Sequence, residues 1–229
     1  TISGLVFNAW GDRSFEAPYG VWFDGDWSKP RLDDPAIQKG LSDYAGLMQA
    51  GPSDILSYNW NEAGNAFCNG QAAFFADASL FGPWFETDDC PISKGNTGYM
   101  ALPPQTKGGV SYTANWQWGI GMGANAQEKD AGWYFIQYMT DKYAEPKIGT
   151  FHGGAGRIST WENEEYTSTL NPDYVSATLE SMKTVRTSVV PVKDFNKYAL
   201  EIMDVILDIH GGSSSEDATA KGNANFKAM

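Results

Sequence analysis

Asp77 closes the run QAAFFAD, where an apolar segment gives way to SLFGPWF. A carboxylate at the end of an apolar strand is a common functional position in α/β folds. It can accept hydrogen bonds from ligand hydroxyls, or it can simply end the strand or cap the next helix. Arg157 follows the glycine run HGGAG. Its planar fork of five donors suits hydroxyls or a carboxylate, and it can equally serve as a surface arginine or a structural ion pair. Trp116 and Trp118 stand two residues apart in NWQWGIGM. Indoles in that spacing form either part of a core or a platform on which the C–H face of a sugar stacks.

Other chemistries find little support. The chain has no G-x-S-x-G elbow and no phosphate-binding loop; GGAG at 153–156 lacks the following lysine. No G-x-G-x-x-G opens a helix after a strand, and the glycines of GIGMGA alternate inside an expected strand. Paired carboxylates can make a glycosidase. Asp77 with Glu62, Glu86, Asp88 or Asp89 offers such pairs, and nothing in the sequence selects one. A glycoside hydrolase or lyase with an aromatic-lined groove is therefore the alternative reading. His152 and His210 are far apart, and Cys68 and Cys90 lack the spacing of a zinc site. The two cysteines can pair in an oxidising compartment or remain buried thiols. No cofactor and no metal are expected.

These residues must be positioned by mixed elements. ISGLVF at 2–7 reads as a short strand, VWFDGDW as a ribbon, QAAFFAD as a buried strand and TGYMALP as another. Trp116, Trp118, Ile120 and Met122 recur at the period of two that marks one strand face, with Gly119, Gly121 and Gly123 opposite. A helix follows, with Ala131, Phe135 and Tyr138 on its stripe. Asp34 with Pro35 opens another helix, whose stripe is Ile37, Leu41, Tyr44, Ala45 and Met48. Glu62 to Cys68, 174–182 and 195–209 read as helices, and Ser214 or Ser215 caps a last one. Strands mixed with helices give an α/β or α+β class.

The chain has 229 residues and a formal net charge of −12. Such an acidic surface is a poor partner for nucleic acid or an anionic membrane. No stretch approaches the roughly 20 apolar residues needed to cross a bilayer. No signal peptide is visible, and residue 1 reads as a processed or trimmed start. Nine Trp, eleven Tyr and twelve Phe suit carbohydrate recognition, a weak signal by itself.

The order of CNGQAAFFAD, GNTGYMALPP, NWQWGIGM, DAGWYFIQYMT and GGAGRIS resembles the extracellular solute-binding proteins of ABC importers. Within their sugar-binding class it is similar to the sorbitol/mannitol-type polyol binders, as is the upstream WFDGDWSKPRLDDPAIQKGLSDYAGLM. The resemblance covers nearly the whole chain. It implies a periplasmic-binding-protein-like α/β fold with two lobes that close on a ligand, and a chain lacking the amino-terminal part. Residues 1–104 then begin the carboxy-lobe, 105–150 cross to the amino-lobe, and 151–229 return. The resemblance implies ligand contacts at Asp77, Trp116, Trp118 and Arg157, with Asn8 and Trp10 on a first loop facing the cleft. It further implies a monomer that binds a sugar or sugar alcohol, docks on a membrane permease and works in the periplasm or outside the cell, with a lipid anchor as one option. DRSFEAPYG departs from the family pattern as an insertion.

Overall fold

The computed structural model describes residues 2–229, with only the backbone of Phe151 and His152. The side chain of His152 thus lies outside the described residues. In chain order the elements are α1 (Ile2–Trp10), α2 (Pro35–Gln49), α3 (Trp60–Cys68), α4 (Phe81–Phe85), β1 (Thr113–Asn115), α5 (Lys129–Met139) and α6 (Ala144–His152). There follow α7 (Ile158–Trp161), α8 (Glu164–Thr167), α9 (Pro172–Met182), β2 (Val185–Thr187), α10 (Phe195–His210) and α11 (Ser215–Ala228). They fall into two compact units. Unit 1 holds the residues up to Asn59, Ala101–Trp116 and Ser181–Met229; unit 2 holds Trp60–Met100 and Gln117–Glu180.

Unit 1 has one continuous core. Val6, Phe7 and Trp10 of α1 meet Ile37, Leu41 and Ala45 of α2, with Ile202, Val205 and Ile206 of α10 and Phe226 of α11 in the same cluster. Gly40 permits the closest approach, since a β-carbon there would lie 2.6 Å from the Val6 α-carbon. The expected start of α2 is present: the Asp34 carboxylate accepts from the Ala36 N–H at 2.9 Å, with Pro35 in the first turn. Ser214 caps α11 by accepting from the Asp217 N–H at 3.0 Å. The expected ribbon at VWFDGDW appears as an antiparallel bridge between Phe23 and Pro30. β1 and β2 run parallel, pairing Thr113 with Val185, Ala114 with Arg186 and Asn115 with Thr187.

Unit 2 is built from short helices around aromatic clusters. Phe81 and Phe85 pack with the disulfide between Cys68 and Cys90, whose α-carbons are 4.8 Å apart. Trp161, Tyr166 and Tyr174 form a second cluster. Small residues let rings in: Gly64 lies against Trp84 and Phe81, and Gly82 against Tyr174.

Four strand expectations are corrected. Residues 2–7 belong to α1, because Leu5, Val6 and Phe7 are all buried. A continuous apolar run fits an enclosed helix as well as a strand. QAAFFAD, TGYMALP and 116–122 carry no regular structure. A strand needs a ladder partner for its backbone groups, and among the described residues only β1 and β2 form one. Phe74 is 90% exposed, so QAAFFAD is not buried either. The helix after Trp118 exists as α5, but no residue in it is buried. Among the described residues no helix is long and apolar enough to cross a membrane.

Candidate functional site

In unit 2 the segment after Asp77 and the glycine loop before Arg157 come together. Gly153 and Gly154 both have φ near +60°, a conformation natural to glycine. The Gly154 N–H donates to the Tyr174 hydroxyl at 3.2 Å. A β-carbon on Gly154 would lie 3.6 Å from Leu80 Cβ, and one on Gly153 would meet Pro83 at 2.8 Å. The loop therefore runs close over the turn that begins at Asp77. Farther along, a β-carbon on Gly156 would lie 2.5 Å from Gln117 Nε2. The residue beside Trp118 thus rests on the residue beside Arg157. Three segments singled out in the sequence converge on one part of unit 2.

The side chains are held from behind. Glu145, in the first turn of α6, accepts from the N–H groups of Gly156 at 2.7 Å and Arg157 at 2.9 Å, and from the Thr160 hydroxyl. This fixes the start of α7, whose N-cap is Arg157. The Arg157 guanidinium donates through Nη1 to the Thr140 carbonyl at 3.0 Å, at the end of α5. A cation at a helix C-terminus is favourable there. Arg157 is exposed, so its fork is anchored at one nitrogen while its side chain meets solvent.

Asp77 has a neighbour that the sequence reading missed. The Trp60 indole N–H donates to Asp77 Oδ1 at 2.8 Å, and the Ala78 N–H donates to the same oxygen at 2.7 Å. Trp60 also packs edge-on against Phe81, with ring centroids 5.1 Å apart. Asp77 is exposed and Trp60 partly so. An indole tied to an acid pairs a stacking surface with an oxygen acceptor. The signal available in the sequence was a tryptophan directly ahead of Asn61 and Glu62, at the opening of a helix.

Trp118 is 71% exposed in unit 2, and Trp116 is 62% exposed in unit 1. Neither is a core residue. Asn8 and Trp10 have packing roles in unit 1. The Asn8 amide donates to the carbonyls of Gly4 and Tyr112 at 2.8 and 2.6 Å and accepts from the Tyr112 N–H at 3.0 Å. That engages a buried amide fully with backbone. Trp10 is buried in the core, donates to the Arg13 carbonyl, and lies under the guanidinium groups of Arg13 and Arg31. Both serve the fold at the place where a loop was expected, because that stretch is α1.

The bacterial extracellular solute-binding protein family matches residues 3–145, more than half of the chain. A mannitol-binding protein of Pseudomonas aeruginosa is 29% identical over 192 residues, which cover 80% of this chain and 41% of that protein. An ABC transporter solute-binding protein from Agrobacterium radiobacter K84, in complex with ribitol, matches with a TM-score of 0.77 at 19% identity, over 98% of this chain and 55% of its own. Maltose-bound MalE3 of T. maritima matches with a TM-score of 0.78 at 19% identity, over 99% of this chain and 56% of its own. The chain spans about half the length of these proteins and shares their periplasmic-binding-protein-like fold. It belongs to the bacterial extracellular solute-binding protein family.

Proposed function

We propose that the protein binds a polyol or sugar without transforming it and delivers it to an ABC transporter permease outside the cytoplasm. The observation that carries this reading is the convergence in unit 2 of the Trp60–Asp77 pair, the 153–157 loop and the Gln117–Trp118 segment. Indole faces take the carbon face of the solute, while Asp77 and Arg157 take its hydroxyls. A buried hydroxyl without a partner is costly, so the polar set decides which solute is kept. The relatives that bind mannitol and ribitol favour a sugar alcohol; the maltose-bound neighbour keeps sugars in the class. In the same proposal residues 105–150 cross to an amino-terminal lobe, and the aromatic residues Trp133, Tyr134, Phe135 and Tyr138 of α5, exposed here, support that assignment.

Isothermal titration of the protein with D-mannitol, ribitol and maltose tests the reading. Saturable binding of at least one, weakened about tenfold or more in Asp77→Asn, is expected. Absence of heat with all three, from protein with a cooperative melt, would contradict it.

A further inference from the structure

The glycines of the 153–156 loop serve different ends. Gly153 and Gly154 have φ of +62° and +63°, where glycine is the natural residue. Gly156 lies outside that left-handed region, so its backbone does not require a glycine. Its N–H donates to Glu145 Oε1 at 2.7 Å, a bond that any residue except proline can make. What a side chain at 156 would disturb is one group. A β-carbon there would lie 2.5 Å from Gln117 Nε2 and 3.4 Å from Gln117 Cδ, while Glu145 Oε1 stands at an ordinary 3.6 Å. The space above Gly156 is therefore taken by the tip of the Gln117 amide.

That amide is seated without being used up. Gln117 is exposed, and among the described residues its side chain has no hydrogen-bond partner. It keeps two N–H donors and a carbonyl acceptor for a group from outside the chain. Holding a long side chain against backbone costs rotamer freedom, and a glycine costs chain entropy. Both costs meet at this contact, and no hydrogen bond within the unit offsets them.

The seat lies on the candidate site. Leu80, three residues after Asp77, approaches the loop at Gly154, and Arg157 follows Gly156. The α-carbons of Gly154 and Gly156 are at most about 7 Å apart, and all these residues belong to unit 2. A carboxylate such as Asp77 only accepts and a guanidinium such as Arg157 only donates, whereas a hydroxyl does both. A carboxamide also does both, and it carries no charge. We propose that the Gln117 amide is a specificity-determining contact of unit 2 that hydrogen-bonds a hydroxyl of a neutral polyol or sugar, and that Gly156 is the seat that holds it. This proposal rests on the solute-binding reading above and adds to it a neutral group that reads hydroxyls.

Titration of D-mannitol, ribitol and maltose into wild type, Gln117→Ala, Gly156→Ala and the double variant, each paired with a thermal melt, tests the proposal. Gln117→Ala should melt like wild type and bind the solute at least fivefold more weakly. Gly156→Ala displaces the amide and should weaken binding at least threefold. Because Gly156 acts through Gln117, the double variant should bind within twofold of Gln117→Ala. A folded Gln117→Ala protein with wild-type affinity overturns the proposal. So does a Gly156→Ala loss that persists in full in the Gln117→Ala background, or a folded Gly156→Ala protein with wild-type affinity. If Gly156→Ala does not fold, Gln117→Ala decides alone. Asp77→Asn separates the two readings: weakened binding there, with Gln117→Ala unchanged, keeps the solute-binding function and rejects Gln117. If wild type binds none of the three solutes, the functional reading fails and the role of Gln117 falls with it.

Discussion

Unit 1 and unit 2 solve the same packing problem with different means. Unit 1 buries aliphatic and aromatic side chains of α1, α2, α10 and α11 in one cluster, with no covalent link. Unit 2 divides its buried residues between two small aromatic clusters and adds a disulfide. A small cluster leaves little apolar area to offset chain entropy, so a cross-link matters most there. The comparison also bears on the candidate site. The segments that carry Asp77, Trp118 and Arg157 are irregular, and they are held by the loop and ring contacts of unit 2.

The largest effect should come from removing that cross-link. Cys68 and Cys90 close a loop of 22 residues that contains Asp77. By chain-entropy arguments a loop of this size is worth about 3 kcal/mol. The Cys68→Ser/Cys90→Ser double variant should therefore lose amide-exchange protection in α3 and α4, while α2 and α10 keep theirs. Equal loss of protection in both units would remove the contrast between them.

Next in size is a contrast between glycines. A β-carbon on Gly40 would run into the backbone of Val6, which cannot give way without moving α1 from α2. On Gly64 it would meet the rings of Trp84 and Phe81, which can shift. Overpacking typically costs about 1–3 kcal/mol. Gly40→Ala should fall at the upper end of that range and Gly64→Ala at the lower, read from urea unfolding midpoints. The reverse order would mean that the rings of unit 2 are held more rigidly than the helices of unit 1.

A smaller effect is expected at Asp34, where one side chain has two tasks. It caps α2 and receives Arg13, with Nη1 at 2.9 Å and Nη2 at 2.6 Å. Arg13 first, and the Ala36 N–H after the opposing effect of burial, hold its carboxyl below the usual carboxylate range. A depressed folded value stabilises the protein above the ordinary carboxylate range, and that contribution is lost as pH falls through the depressed value. Asp34→Ala should cost about 1 kcal/mol at neutral pH. In a series of melts from pH 7 downward, the gap between variant and wild type should narrow at the acid end. A gap independent of pH would assign the loss to packing instead of charge.

What the sequence made legible follows the range of each interaction. The caps at Asp34 and Ser214 and the stripes of α2, α9 and α10 are written in neighbouring residues, and they could be read directly. The failed strands were non-local: whether QAAFFAD or WQWGIGM pairs depends on an edge supplied from elsewhere in the fold, which no periodicity reveals. The candidate site divides in the same way. Asp77, Trp118 and Arg157 were visible as residue types beside glycine or apolar runs. Trp60, Gln117 and Glu145 were not, because their roles arise from contacts across 17 residues to Asp77, from the approach to Gly156, and from the turn before α7. Asn8 and Trp10 were expected on a loop because the apolar run of α1 reads equally as a strand; the structure places both on that helix.

The smallest effect on stability, and the sharpest on function, should come from Trp118. It is 71% exposed and stands one residue from Gln117, whose amide lies against Gly156. An indole that exposed contributes little to packing, so Trp118→Ala should change the unfolding free energy by no more than about 0.5 kcal/mol. As a stacking surface for a solute it should matter more, weakening affinity by about 1–3 kcal/mol, the scale of losing one aromatic hot-spot contact. Trp116→Ala offers the matched measurement in unit 1, where the ring is 62% exposed. Calorimetric titration beside a melt distinguishes the outcomes for each. A variant that melts like wild type and binds like wild type places that indole outside the solute site. One that unfolds early shows a packing role that its exposure conceals. Loss of affinity at Trp118 alone, with both melts preserved, would assign the stacking surface to unit 2.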